Sequence, residues 1–215
     1  MIERYFFRGM RFSWAAPGEA AQATDGKVEA GGPVPPAPMT YQGVDMDLCT
    51  GHELSRRQNS ITAGLRLGMQ ISFRWLVYKP GRTTTVPLGT TDVMTGFMSG
   101  CPIATLNTGI RVVAHVGTVA NAPDVNRLVK QNFRAIMNNT ARGFNPAAIW
   151  ADRRLELMQQ LKTANIPQVV ALVTTAGAFF SMLVGKYPNT RDSYVIGGVL
   201  PIPAWNDVQL AAVLN

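Results

Sequence analysis

The sequence predicts an α+β protein with a mostly antiparallel sheet. Blocks of period-two apolar alternation occupy both halves of the chain, and between them the period changes to that of a helix. The length fixes the scale, because 215 residues with 47% apolar content can build one sizeable core without dividing into two.

Taken in order, Tyr5, Phe7, Phe12 and Trp14 alternate around Gly9, so residues 1–14 predict a short hairpin or arm pinned onto the main body. Residues 15–40 are carried by Ala, Gly and Pro without either period, the composition of a linker or mobile loop. The main body, residues 41–215, reads as a single domain. Its clearest strand covers 70–78 and stops at Pro80-Gly81, with 83–87 as the next. Strands at 102–106 and 110–117 flank Asn107-Thr108-Gly109. Val125, Leu128, Val129, Phe133, Ile136 and Met137 then follow helical spacing behind Pro123-Asp124. A second helix is expected over 147–164, with Ile149, Trp150, Leu155, Met158 and Leu161 on its apolar side. Strands return at 169–184 and 193–200.

Residues 163–185 carry no charge and lie between Lys162 and Lys186, a length that could cross a bilayer. Asn165, Pro167, Gln168, Thr174, Thr175 and Ser181 interrupt them, so two buried strands with a turn at 175–177 fit better and no membrane span is expected. At the front, Glu3, Arg4 and Arg8 fall where an export signal needs an unbroken apolar stretch. The chain is therefore expected to be cytosolic or exported by a route that reads no such signal.

Two Cys exclude a disulfide scaffold, and a four-ligand structural zinc site would have to use both Cys and both His, so that reading is weak. Asp45, Asp47, Cys49 and His52 cluster in sequence without a metal-site spacing, and read as a solvated loop. The net charge of +7 concentrates at Arg56, Arg57, Arg66, Arg74, Lys79 and Arg82, with Glu53 as the lone acid beside them. Such a run is either an ordinary solvated face or a patch for an acidic protein, a phospholipid surface or nucleic acid. The alternation places Arg74 with Ser72 and Leu76, away from any such patch.

With so few Cys and His, each thiol–imidazole pair can be weighed. A turn centred on Thr108 with Gly109 in the left-handed position makes Leu106 face Ile110, Ala104 face Val112 and Cys101 face His115. Directly opposed residues have Cβ atoms about 4.5–5.5 Å apart, within reach of a thiol–imidazole contact. An imidazole there can take the thiol proton and stabilise the thiolate. Gly100 would permit a close backbone approach or an unusual φ ahead of the nucleophile, and Pro102 has no N–H. An oxyanion donor must then be the Cys101 amide or come from elsewhere. The alternative is a small buried thiol and a strand histidine with a satisfied hydrogen bond. Cys49 and His52 form the rival pair, with no hairpin to fix their geometry.

Thr95-Gly96-Phe97-Met98-Ser99-Gly100-Cys101, followed by His115 in Val112-Val113-Ala114-His115-Val116-Gly117-Thr118, resembles the signature of the glutamine-deamidating bacterial toxins. That family includes the cytotoxic necrotizing factors and Burkholderia lethal factor, and its motif is Leu-Ser-Gly-Cys with a His after a short hairpin. Met98 stands here where the family carries Leu. The resemblance implies a β-sandwich flanked by helices and conversion of a host-protein Gln to Glu. The implied substrate is a Rho-type GTPase in one branch and a translation-initiation helicase in the other. It also implies Cys101 as nucleophile, His115 as base and the Thr95 carbonyl orienting the imidazole, with Ser99 and Gly100 beside the substrate. No metal or organic cofactor is needed and no nucleic acid is expected. By this resemblance the chain would be a secreted or injected effector acting in the host cytosol. Another Cys–His acyl-transfer enzyme (a transglutaminase or peptidase) and a non-enzymatic basic binding module remain the alternatives.

Overall fold

A computed structural model describes residues 1–18, 20–31, 38–151, 168–187, 190 and 192–215. The chain begins with a 3₁₀ turn (Ile2–Tyr5), then β1 (Met10–Ser13), β2 (Val28–Ala30), β3 (Met39–Val44) and helix α1 (Gly51–Thr62). Next come β4 (Gln70–Ile71), β5 (Arg74–Val77), β6 (Thr83–Pro87), β7 (Val93–Met98), β8 (Ile103–Asn107) and β9 (Arg111–Val116). Helix α2 (Pro123–Ile136) and β10 (Arg142–Phe144) follow. The chain ends with β11 (Gln168–Val173), β12 (Phe179–Lys186), β13 (Ser193–Ile202) and α3 (Asp207–Val213).

The fold class is α+β. Eight strands form one sheet in the order β4-β3-β1-β13-β12-β11-β7-β5, and five form a second in the order β10-β8-β9-β6-β2. Both sheets are mixed, because β5 runs parallel to β7 and β2 parallel to β6. The expected strand over 70–78 is two strands, and they occupy opposite edges of the larger sheet. Only Ser72 and Phe73 separate them, so that sheet curls back until its edges nearly meet. Phe73 turns into the curl with Trp14 and Trp75, the rings 5.8 and 6.3 Å away.

The apolar residues then sort into three layers. Phe12, Trp14, Trp75, Val170, Leu172 and Ile196 fill the inside of the curl. Val93, Ile103, Val113, Val169, Ala171 and Val173 lie between the two sheets. Ala104, Leu106, Val112, Val129, Phe133 and Leu210 join the second sheet to α2 and α3. Period-two alternation along β11 thus feeds two cores, which is why that segment reads as a continuous apolar run. The turn between β11 and β12 closes where expected, with Gly177 N–H donating to Thr174 O at 2.8 Å. Among the described residues no helix is long and apolar enough to cross a membrane.

Several expectations change. The N-terminal hairpin does not form: Gly9 N–H donates to Ile196 O, and Gly9 O accepts from Asp45 N–H. The Phe12–Trp14 end therefore joins the large sheet between β3 and β13, instead of folding back on Tyr5–Phe7. Three residues of the expected linker, Val28–Ala30, form an edge strand. This strand, β2, lies along β6, while Asp25 and Glu29 bind Arg82 and Glu29 also binds Lys79. Half-exposed and only three residues long, β2 shows no apolar period. Helix α1, read as loop and charged run, starts at Thr50, whose Oγ1 accepts from Glu53 N–H at 3.3 Å. Ser60 is its only buried residue, so no apolar stripe announces it. In the region expected to be helical over 147–164, Ala148–Trp150 forms a 3₁₀ turn, and residues 152–164 lie outside the described residues.

Asp92 ties distant parts of this framework together. Its carboxylate accepts from Ile2 N–H at 2.9 Å and Thr175 N–H at 2.7 Å, and it is 5% exposed. Asp92→Ala removes both bonds and strands two amides. It is expected to cost about 2 kcal/mol, read from the denaturant midpoint at unchanged m-value.

Candidate active site

The site is built where β7 of the large sheet meets β9 of the small one. Val113 packs between the sheets and His115, two residues on, shares its side of β9. By the same spacing from Val93, Thr95 faces it from β7. The Thr95 hydroxyl lies 2.6 Å from His115 Nδ1 and donates its one hydrogen to Leu76 O at 2.8 Å. It must therefore accept from the imidazole, which fixes His115 as the Nδ1–H tautomer. The orienting group is thus the Thr95 side chain, not its carbonyl as the resemblance implied.

The other ring nitrogen, Nε2, is buried and has no hydrogen-bond partner among the described residues. His115 is fully buried, and burial pushes its pKa from 6.5 down to about 3. The Tyr78 ring stacks on the imidazole, the centroids 4.9 Å apart. A neutral imidazole with its lone pair directed outward from the Thr95 bond is the protonation state a general base requires.

The hairpin register differs from the expected one. Ile103 faces His115 and Leu106 faces Val112, with Asn107 opposite Arg111. The loop is Thr108-Gly109-Ile110, centred on Gly109, and Asn107 Oδ1 accepts from Gly109 N–H at 3.1 Å. This asparagine-capped turn shifts the strands by two residues and preserves the faces. It displaces Cys101 beyond the start of β8 and off the pairing ladder.

Cys101 is nonetheless part of the same constellation. It is 5% exposed, and its sulfur lies 3.4 Å from Thr118 Oγ1 and 3.6 Å from Thr118 O. Tyr78 donates its hydroxyl to that same carbonyl at 2.8 Å. Burial raises the thiol pKa above its ordinary 9.0, while hydrogen bonds from Thr118, through side chain and main chain, and from Tyr78 pull it back. Cys101 and His115 are not hydrogen-bonded to each other: the thiol rests on Thr118 and the imidazole on Thr95, with Tyr78 touching both sides.

Thr118 is held by a clamp. Gly117 N–H donates to Arg82 O at 2.9 Å, and Gly117 O accepts from Gly81 N–H at 2.8 Å. On the far side, Asn126 of α2 bonds both the N–H and the C=O of Val119, at 2.7 and 2.8 Å. Cys101 opens into a cavity of about 510 Å³ lined by Tyr78, Phe97, Met98, Thr118 and Gln168 among others, and no charged residue is among the described residues that line it. Ser99 and Gly100 are exposed at its rim. Gly100 has open space around its Cα and no left-handed φ, so the chain geometry does not demand glycine there.

The remaining sequence candidates lie elsewhere. Lys79 and Arg82 are neutralised by Asp25 and Glu29, so they contribute no free basic patch. Arg56 donates to Phe6 O, Arg57 contacts the Met46 sulfur, and Arg66 donates to Ile61 O and Leu65 O. Arg74 donates to Pro87 O. Cys49 contacts Arg8 O and Asp45 O, both at 3.5 Å, and burial raises its pKa. His52 is exposed on the first turn of α1. Sequence reasoning missed Tyr78 and Thr118. Tyr78 closes the alternating segment 70–78, and Thr118 follows the His115 strand, so proximity in sequence to a glycine clamp was the available signal.

The fold and the site together define an α+β protein with a buried thiol, a tautomer-locked imidazole and a phenol that contacts both. Comparison with protein-family models, curated proteins and solved structures gives no match for this chain.

Proposed function

We propose that this chain is a cysteine-dependent protein-glutamine deamidase, a bacterial effector that converts a Gln of a host protein to Glu. The observation that carries the reading is the Thr95–His115 bond: it leaves a neutral imidazole whose buried Nε2 has no partner among the described residues, beside the Tyr78–Cys101 pocket. The Ser99-Gly100-Cys101 and His115 resemblance supports the same assignment and suggests a Rho-type GTPase or a translation-initiation helicase as target. Delivery to the host cytosol would use a route that reads no signal peptide.

In this mechanism the Cys101 thiol gives up its hydrogen bond to the Thr118 carbonyl, and its proton passes to His115 Nε2. The sulfur attacks the carboxamide carbon, forming a tetrahedral adduct. Collapse expels ammonia, which takes the proton from Nε2, and leaves a thioester. Water, deprotonated by the same nitrogen, hydrolyses the thioester and returns the proton to the thiol. Among the described residues the cavity lining is uncharged, which suits a neutral carboxamide and offers the carboxylate product no cation to retain it.

Quantitative mass spectrometry of host-cell lysate treated with the protein, beside Cys101→Ser, tests the reading. Gln-to-Glu conversion at one or a few sites is expected, with activity falling by about three orders of magnitude or more in the variant. Amine cross-links or cleavage products in place of conversion would shift the reaction to a transglutaminase or peptidase. Identical lysates would overturn the enzymatic reading.

A further inference from the structure

We propose that the hydroxyls of Thr118 and Tyr78 receive the charge of the Cys101 thiolate, making both catalytic residues of the thiol chemistry. This rests on Cys101 being the nucleophile, and it adds two groups to the Cys–His pair. A buried sulfur anion needs donors, and the donors around Cys101 are few. Pro102 has no N–H. No Asp, Glu, Lys or Arg among the described residues lines the cavity, and the imidazole has committed its one N–H to Thr95. What does lie against the sulfur is Thr118, through its hydroxyl at 3.4 Å and its main chain, and the Tyr78 hydroxyl, parked on Thr118 O at 2.8 Å.

The resting bonds show how the switch would run. With the thiol protonated, the sulfur donates to the Thr118 carbonyl, and that carbonyl also takes the Tyr78 proton. When the S–H bond breaks, the proton goes to His115 Nε2 and the electron pair stays on sulfur. The sulfur then no longer donates to Thr118 O and becomes an acceptor. Thr118 O–H turns onto it, and Tyr78 O–H moves from the carbonyl to the sulfur, a charge-assisted bond in exchange for a neutral one. Both hydroxyls contribute hydrogen bonds that favour the thiolate, against the burial that opposes it. Tyr78 also stacks on His115, so one side chain contacts the proton donor and the proton acceptor.

Iodoacetamide is the probe. The thiolate displaces iodide as the S–C bond forms, so the rate against pH reports thiolate formation without any protein substrate. Among the described residues the titratable groups facing Cys101 are Tyr78 and, stacked on it, His115; Cys49 in the same molecules is the internal standard. Tyr78→Phe and Thr118→Val should each raise the Cys101 midpoint by about one pH unit, a roughly tenfold slower alkylation at neutral pH, while the Cys49 midpoint stays put. Thr118→Ser should restore the wild-type profile, which a role in packing alone would not predict. Thermal unfolding checks each fold, and the Thr118→Val and Thr118→Ser pair carries the test if Tyr78→Phe fails to fold.

Midpoints unmoved in the folded variants, with a wild type that deamidates, would overturn the hydroxyl roles alone. A wild-type Cys101 that never alkylates while Cys49 does would overturn the nucleophile itself, and this inference with it.

Discussion

Gly117→Ala is expected to destabilise the protein by about 3 kcal/mol and to dismantle the site with the fold. A Cβ at this position would meet the carbonyl oxygens of both Arg82 and Lys79 at 2.3 Å. Both obstacles are backbone, so no side chain can swing away to make room. The strand end must move, and with it go the Gly117–Arg82 and Gly81–Gly117 bonds that set the position of Thr118. Denaturant unfolding would show the loss, and iodoacetamide labelling would show Cys101 released from Thr118. Gly100→Ala is the matched control: its Cβ enters open space, so stability should stay within about half a kcal/mol of wild type. Equal effects from the two alanines would refute the clamp.

His115 should make the fold acid-labile. Burial lowers its pKa from 6.5 to about 3, so below 6.5 the unfolded chain binds a proton that the folded chain refuses. The stability is complete above 6.5 and falls as pH drops toward 3, at roughly 1.4 kcal/mol per unit. About two units below the unfolded value the cost is about 3 kcal/mol. His115→Gln keeps a neutral polar side chain without the titration, so the difference in slope between the two proteins isolates this residue. Parallel slopes across that window would show that His115 is protonated in the folded state.

Where a residue's environment is local, the sequence announced it. Pro123, Val129 and Phe133 define α2 because a single amphipathic face meets a single core. The β11–β12 pair was legible against a membrane reading because polar residues punctuate it at the turn. Cys101, His115 and Thr95 were identifiable as candidates, and they do gather at one end of the inter-sheet layer. Their connections were not legible. The two-residue register difference comes from Asn107 capping its own turn, a choice between a loop centred on Thr108 and one centred on Gly109 that alternation cannot decide because both preserve the faces. Tyr78 and Thr118 reach Cys101 only through pairing between segments far apart in the chain. Helix α1 escaped because its packing is made by Ser60 bonding to Arg4 O and by Arg56 bonding to Phe6 O, polar contacts that leave no period. The Thr50-x-x-Glu53 cap was the one signal on offer.

The position of β1 between β3 and β13 has a kinetic consequence. One edge of β1 pairs with a strand encoded nearby, the other with a strand encoded far along the chain. The curled sheet therefore cannot be completed until the chain through β13 is present, and closing it joins segments some 180 residues apart, as in the pairing of Arg11 with Val195. Folding should be slow for a protein of this size, on the order of milliseconds to seconds, with the aromatic interior of the curl exposed in the interval. During synthesis the N-terminal strand must wait for its last partner. A chain cut short before Ser193 would leave Phe12 and Trp14 without the strand that covers them, a state prone to capture by other exposed edges.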